Sequence, residues 1–173
     1  MKQFFSAIFF LLVFSFAGKA QQYEFLTDSL HPAEKILKGI ISKSDLENNP
    51  PYNKWYAESQ QIYPVPNEDA VKGMRKNKDN VTIVIFGGTW CEDTHFVLPK
   101  FFEMQEASGF PENRITLYAV DRNKKTTGTI AEDYHIINVP TIIVMKDNKE
   151  VGRVVEYGKT GKWDKEFADI FSE

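Results

Sequence analysis

The sequence predicts an α/β domain with a central mixed β-sheet, preceded by a helical extension. Three observations predict it. Val81 to Phe86 is an apolar run broken only by Thr82, as in a strand buried on both faces. Gly87 and Gly88 then lead that strand into a helical pattern running to about Ser108, and a second strand follows at Ile115 to Val120. Finally, Ile142–Met145 and Glu150–Val155 flank the turn Lys146-Asp147-Asn148-Lys149, which reads as a hairpin. A right-handed crossover makes the first two strands parallel, and the hairpin adds antiparallel strands beside them.

Taken in order, the chain starts with different material. Lys2 is a short positive segment, Phe4 to Phe16 is apolar apart from Ser6 and Ser15, and Gly18 and Ala20 suit a cleavage site. This pattern predicts a secretory signal peptide over 1–20, too short to span a bilayer comfortably, so no stable membrane insertion follows its removal. No cysteine follows the apolar run to take a lipid. The expected localisation is exported, either periplasmic or secreted, with a mature chain from Gln21.

Residues 21–66 form the extension. Ala33, Ile36, Leu37, Ile40 and Ile41 follow helical spacing after Pro32, which suits a first helical turn. Asn48-Asn49-Pro50-Pro51 is a break. Tyr52, Trp55, Tyr56 and Tyr63 form an aromatic cluster that packs the extension on the main domain. Tyr63-Pro64-Val65-Pro66 is a stiff connector. The main domain spans 67–173. Asn67 caps a helix with Glu68 and Asp69 in its first turn and basic residues at its end. Pro99 falls inside the long central helix, which Gly109 and Pro111 stop. Thr129-Ile130-Ala131-Glu132 has the form of a capping box for a short helix. Thr160 is placed to cap the last helix, with Trp163, Phe167, Ile170 and Phe171 on its inner face.

Net charge is −3, which gives no footprint for nucleic acid, and removing Lys2 and Lys19 makes the mature chain more acidic. The chain has one cysteine, Cys91, so it forms no internal disulfide. In an exported protein a lone cysteine is either a reactive or intermolecular thiol or a buried small hydrophobe, and its count does not choose. Position does. Cys91 stands where a strand passes through glycines to a helix start, so unpaired backbone N–H groups and the helix dipole favour a thiolate there. Thr94 and His95 are near enough in sequence to aid the sulfur, while Glu92 and Asp93 oppose its ionisation.

The stretch Trp90-Cys91-Glu92-Asp93-Thr94, with Pro99 five residues on and Val139-Pro140-Thr141 before the hairpin, resembles the thioredoxin family over about Asn67 to Phe171. The resemblance implies a three-layer thioredoxin-like fold and thiol–disulfide exchange with protein or peptide partners. It implies Cys91 and Thr94 as the catalytic positions, and Trp90, Val139 and Pro140 as the substrate-binding ones, with a cis bond at Val139-Pro140. Two departures limit it. Thr94 stands where the family has its second cysteine, and Ile85 where thioredoxin has a buried acid. A thiol without that neighbour attacks a disulfide but waits for an outside thiol to release the product.

Two readings follow: a monothiol exchange protein, or a non-catalytic module binding partners in the groove between Cys91 and Pro140. An oxidative dimer through Cys91 is open to either. Cys91, Asp93, His95 and His135 invite a metal, but the ligand set lacks a second cysteine, and neither metal nor other cofactor is expected.

Overall fold

The computed structural model describes residues 22–62 and 66–172. The signal-peptide segment and Tyr63 of the aromatic cluster lie outside them. Six strands form one sheet in the order β1-β2-β4-β3-β5-β6. Strand β3 (Val81–Gly87) is central, parallel to β4 (Ile115–Ala119) and antiparallel to β5 (Thr141–Lys146). β5 turns through Asp147 and Asn148, both at positive φ, into the edge strand β6 (Lys149–Val155).

The pleat sorts β3 into two cores. Ile83 and Ile85 face a large cluster under the helices, while Val84 and Phe86 face a smaller one on the other side. The large cluster takes α3 (Glu68–Asn77) through Ala70 and Met74, α4 (Glu92–Ser108) through Val97, Phe101 and Met104, and α6 (Trp163–Ile170) through Trp163 and Phe167. The smaller one takes Ala131 of the short α5 (Ile130–Asp133), together with Trp90 and Cys91. Sheet, helical layer and the α5 side make three layers, the expected fold class.

Local signals set most boundaries. Asn67 caps α3, its side chain accepting from the N–H groups of Asp69 and Ala70 at 3.0 and 3.1 Å. α4 ends at Gly109, whose N–H bonds the carbonyls of Gln105 and Glu106. Two expected caps do not form. Lys162, not Thr160, precedes α6, because Glu166 reaches back to take the Thr160 N–H and hydroxyl and the Lys159 N–H. Thr129 makes no capping bond, and its hydroxyl pairs with Asp133 instead.

The extension corrects the sequence reading most. The segment read as a helix is a strand: β2 (Lys35–Ile41) pairs antiparallel with β1 (Tyr23–Thr27) on one side and with β4 on the other. Ile36, Leu37 and Ile41 are buried there by pairing partners distant in sequence. Helical character begins afterwards, in α1 (Lys43–Asn48) and α2 (Tyr52–Ile62). α1 carries a full capping box between Ser42 and Asp45. Tyr52 and Tyr56 of α2 enter the main core, so the extension and the rest of the chain share one interior. No helix among the described residues is long and apolar enough to cross a membrane.

Candidate active site at Cys91

Cys91 is the N-cap of α4, with φ −104° and ψ 121°, and it is partly exposed. Its N–H bonds the Gly88 carbonyl at 2.9 Å, and its carbonyl accepts from His95 N–H at 3.0 Å, which starts the helix. The sulfur therefore sits where the first turn leaves N–H groups unpaired. Its hydrogen bond goes across the site: the Cys91 thiol donates to the Val139 carbonyl at 3.3 Å. The Val139–Pro140 bond is cis, and both residues are buried. The structure thus brings Cys91, Val139 and Pro140 together from segments 48 residues apart.

Trp90 forms the adjoining wall. Its indole N–H donates to the Val120 carbonyl at 2.8 Å. Its ring lies on Gly88 so closely that a Cβ there would stand 2.6 Å from Cε2, so a glycine is required at that approach. Above the ring lie the Arg122 guanidinium, 4.8 Å from the centroid, and the Lys124 ammonium, 5.8 Å away.

Thr94 and His95 do not serve the sulfur as expected. Thr94 is buried, and its hydroxyl accepts from the Gly88 N–H at 3.1 Å, closing the strand-to-helix turn from behind. His95 turns away from Cys91. Its Nε2 meets the Thr89 carbonyl at 2.8 Å, so the carbonyl fixes Nε2 as the protonated nitrogen. Its ring stacks on Trp55 of α2 at 4.1 Å. Burial holds its pKa below the usual histidine value, so it is neutral at physiological pH. Ile85 is fully buried in the sheet behind the site. Cys91, Asp93, His95 and His135 are not part of any group of three or more candidate ligands that could hold a metal among the described residues.

Sequence reasoning missed how far the extension reaches into this site. Thr89 is buried between Gly88 and Trp90, and its hydroxyl accepts the Leu37 N–H of β2 at 3.0 Å. Asp28, just after β1, is fully buried and accepts two bonds from Arg122, Nε and Nη2, at 2.7 Å each. These bonds hold the Asp28 carboxyl down at about 2 against the cost of burial. No local sequence signal joins Asp28 to a residue 94 positions away.

The thioredoxin family profile matches residues 65–167, more than half the chain. The chain belongs to the thioredoxin family. It is 30% identical over 80 residues to a thioredoxin of Mycolicibacterium smegmatis, an alignment covering 46% of this chain and 67% of that protein. It is 33% identical over 87 residues to a thioredoxin of Chlamydia pneumoniae, covering 50% and 74%. The chain thus spans about two thirds or more of these relatives' length, and all but the last two residues of its extension lie outside the profile match. A Pseudomonas aeruginosa protein of unknown function shares the fold, with a TM-score of 0.50 at 13% identity over 75% of this chain and 87% of that one. Within this thioredoxin-family chain, the profile encloses Trp90, Cys91, Thr94, Val139 and Pro140.

Proposed function

We propose that the protein is an exported monothiol thiol–disulfide exchange protein working through Cys91. Family membership supports thiol–disulfide redox function in general. The observation that carries the finer reading is the contact of the Cys91 sulfur with the Val139 carbonyl, which sets the thiol against the segment where an extended substrate would lie. The Cys91 thiolate attacks one sulfur of a substrate disulfide. That S–S bond breaks, a Cys91–substrate disulfide forms, and the leaving sulfur departs as a thiolate that takes a proton from water.

Release needs a second thiol. The chain has one cysteine, and Thr94 fills the position from which a resolving thiol would act. A second thiol of the substrate, or a thiol of another protein, must attack the mixed disulfide, expelling Cys91 as a thiolate. Where the substrate supplies that thiol, the net result is a rearranged substrate disulfide with no change in oxidation level. Protein disulfides in an oxidising compartment are the substrates this suits, consistent with the leader pattern of residues 1–20.

The burial of Thr94 also favours a second reading, in which the groove binds partners without turnover. The two differ in one experiment. The full chain and Cys91→Ala are expressed in a secreting host, thiols are blocked, and disulfide-linked species are resolved on a non-reducing gel. The exchange reading expects Cys91-dependent species with partner proteins. Their absence, with partner binding retained in Cys91→Ala, favours the binding module. The N-terminal residue of the recovered chain checks the leader: Gln21 supports export, and an intact Met1 opposes it.

A further inference from the structure

Four groups meet at the ring of Trp90. Gly88 lies close against the indole, the Val120 carbonyl holds the indole N–H, and Arg122 and Lys124 lie over the π-system. Arg122 is held by an outside element. Two of its nitrogens form a fork on Asp28, whose first oxygen also accepts the Leu30 N–H at 3.0 Å. The Asp28 N–H in turn bonds the Glu34 carbonyl at 3.1 Å, so the carboxylate is fixed within the β1–β2 connection. The loop that carries Arg122 is tied as well. Asp121 accepts from the N–H groups of Asn123 and Lys125, and Lys124 takes a left-handed conformation at φ 59°.

We propose that Arg122 is a positioning residue for substrate recognition: anchored by Asp28 of the N-terminal extension, it braces Trp90 beside Cys91. The extension then sets the recognition wall of the site, a role the match over 65–167 does not contain. A bidentate guanidinium–carboxylate pair fixes the plane of the guanidinium, and that plane is what holds an aromatic face. A lysine at 122 would keep the charge and lose the fork. This inference rests on the reading of Cys91 as the exchanging thiol.

The test is a double-mutant cycle on the full chain with Asp28→Asn, Arg122→Met and the double variant, each confirmed folded by circular dichroism. Two rates are read: mixed-disulfide formation with an unstructured peptide disulfide, and alkylation by iodoacetamide, which is too small to need the Trp90 wall. Each single variant is expected to slow the peptide reaction by about threefold to tenfold, with alkylation within about twofold of wild type. The double variant should be no slower than the slower single one, because both changes break one brace. Arg122→Lys should not restore the rate. The Trp90 indole N–H resonance should move in both single variants.

An unchanged peptide rate, or an equal fall in both rates, overturns the proposal. So does additive loss in the double variant. A wild type inert to both reagents would instead overturn the reading of Cys91, while the indole resonance still reports whether the brace exists. Should Asp28→Asn fail to fold, Arg122→Met and Arg122→Lys decide the outcome by the same two rates.

Discussion

Thr94→Cys places a second thiol where the family's resolving cysteine stands, and its cost and gain both follow from the structure. Thr94 is 1% exposed, and its hydroxyl is the acceptor for the Gly88 N–H. A thiol accepts hydrogen bonds weakly, so that buried N–H loses most of its partner at a cost of about 1–2 kcal/mol. For a domain of this size the melting temperature should fall by roughly 2–8 °C. The gain is kinetic. Residues three apart at a helix start are neighbours, and an adjacent thiol acts at an effective concentration on the order of millimolar. Against an outside protein thiol at about 1 μM, release of the mixed disulfide should be about a thousandfold faster. Insulin reduction with dithiothreitol, followed by turbidity, reads the turnover, and single-turnover release of a labelled peptide reads the step. A folded variant with the expected melting temperature and no faster release would refute the reasoning, because it would show that the missing thiol is not what limits Cys91.

Other consequences are readily measured. Asp28 has its pKa lowered by Arg122, so its stabilisation is present above the unfolded carboxylate pKa, near 4, and is lost as pH falls toward about 2. Asp28→Asn should remove on the order of 1–2 kcal/mol at pH 7, because solvent reaches the partly exposed Arg122 end of the pair, and flatten urea stability between about pH 4 and 2; an unaltered slope would contradict the pairing. Burial lowers the His95 pKa, so stability is full above the unfolded value, about 6.5, and declines as pH falls below it. His95→Gln should remove that part of the decline, and an identical pH profile would count against a neutral His95. Thr89→Val strips the acceptor from the buried Leu37 N–H and should cost about 1–3 kcal/mol in chemical denaturation. A loss below a few tenths would mean that β2 does not depend on the loop before Cys91.

The main domain was legible because its signals are local. The run Val81–Phe86, the asparagine before α3 and the glycine after α4 each act over a few residues, and each lies where the pattern puts it. Trp90, Cys91, Val139 and Pro140 came from two motifs on one fold. The extension was harder to read. Ala33, Ile36, Leu37, Ile40 and Ile41 satisfy helical spacing, but the β-branched isoleucines also suit a strand. Gly39 lies at φ 125° against Tyr23, and a Cβ there would stand 2.4 Å from the Gln22 carbonyl oxygen. Only the pairing with β1 and β4 decides the matter, and pairing is non-local. The roles of Thr94 and His95 were misplaced for a related reason. Proximity in sequence put both near the sulfur, but a buried Gly88 N–H claimed one and Trp55 with the Thr89 carbonyl claimed the other. The Asp28–Arg122 pair left no mark at all, since opposite charges far apart in a chain carry no periodicity.

The central claim is that Cys91 attacks disulfides and cannot release the product unaided. Intact-mass spectrometry tests it most directly, with the purified chain and an excess of a peptide whose single cysteine carries a 2-pyridyl disulfide, so that the group released is a thione that does not attack back. The account predicts one peptide adduct per chain, absent in Cys91→Ala, that persists until an outside thiol is added and then disappears. No adduct on the wild-type chain, or an adduct that clears without added thiol, would contradict it.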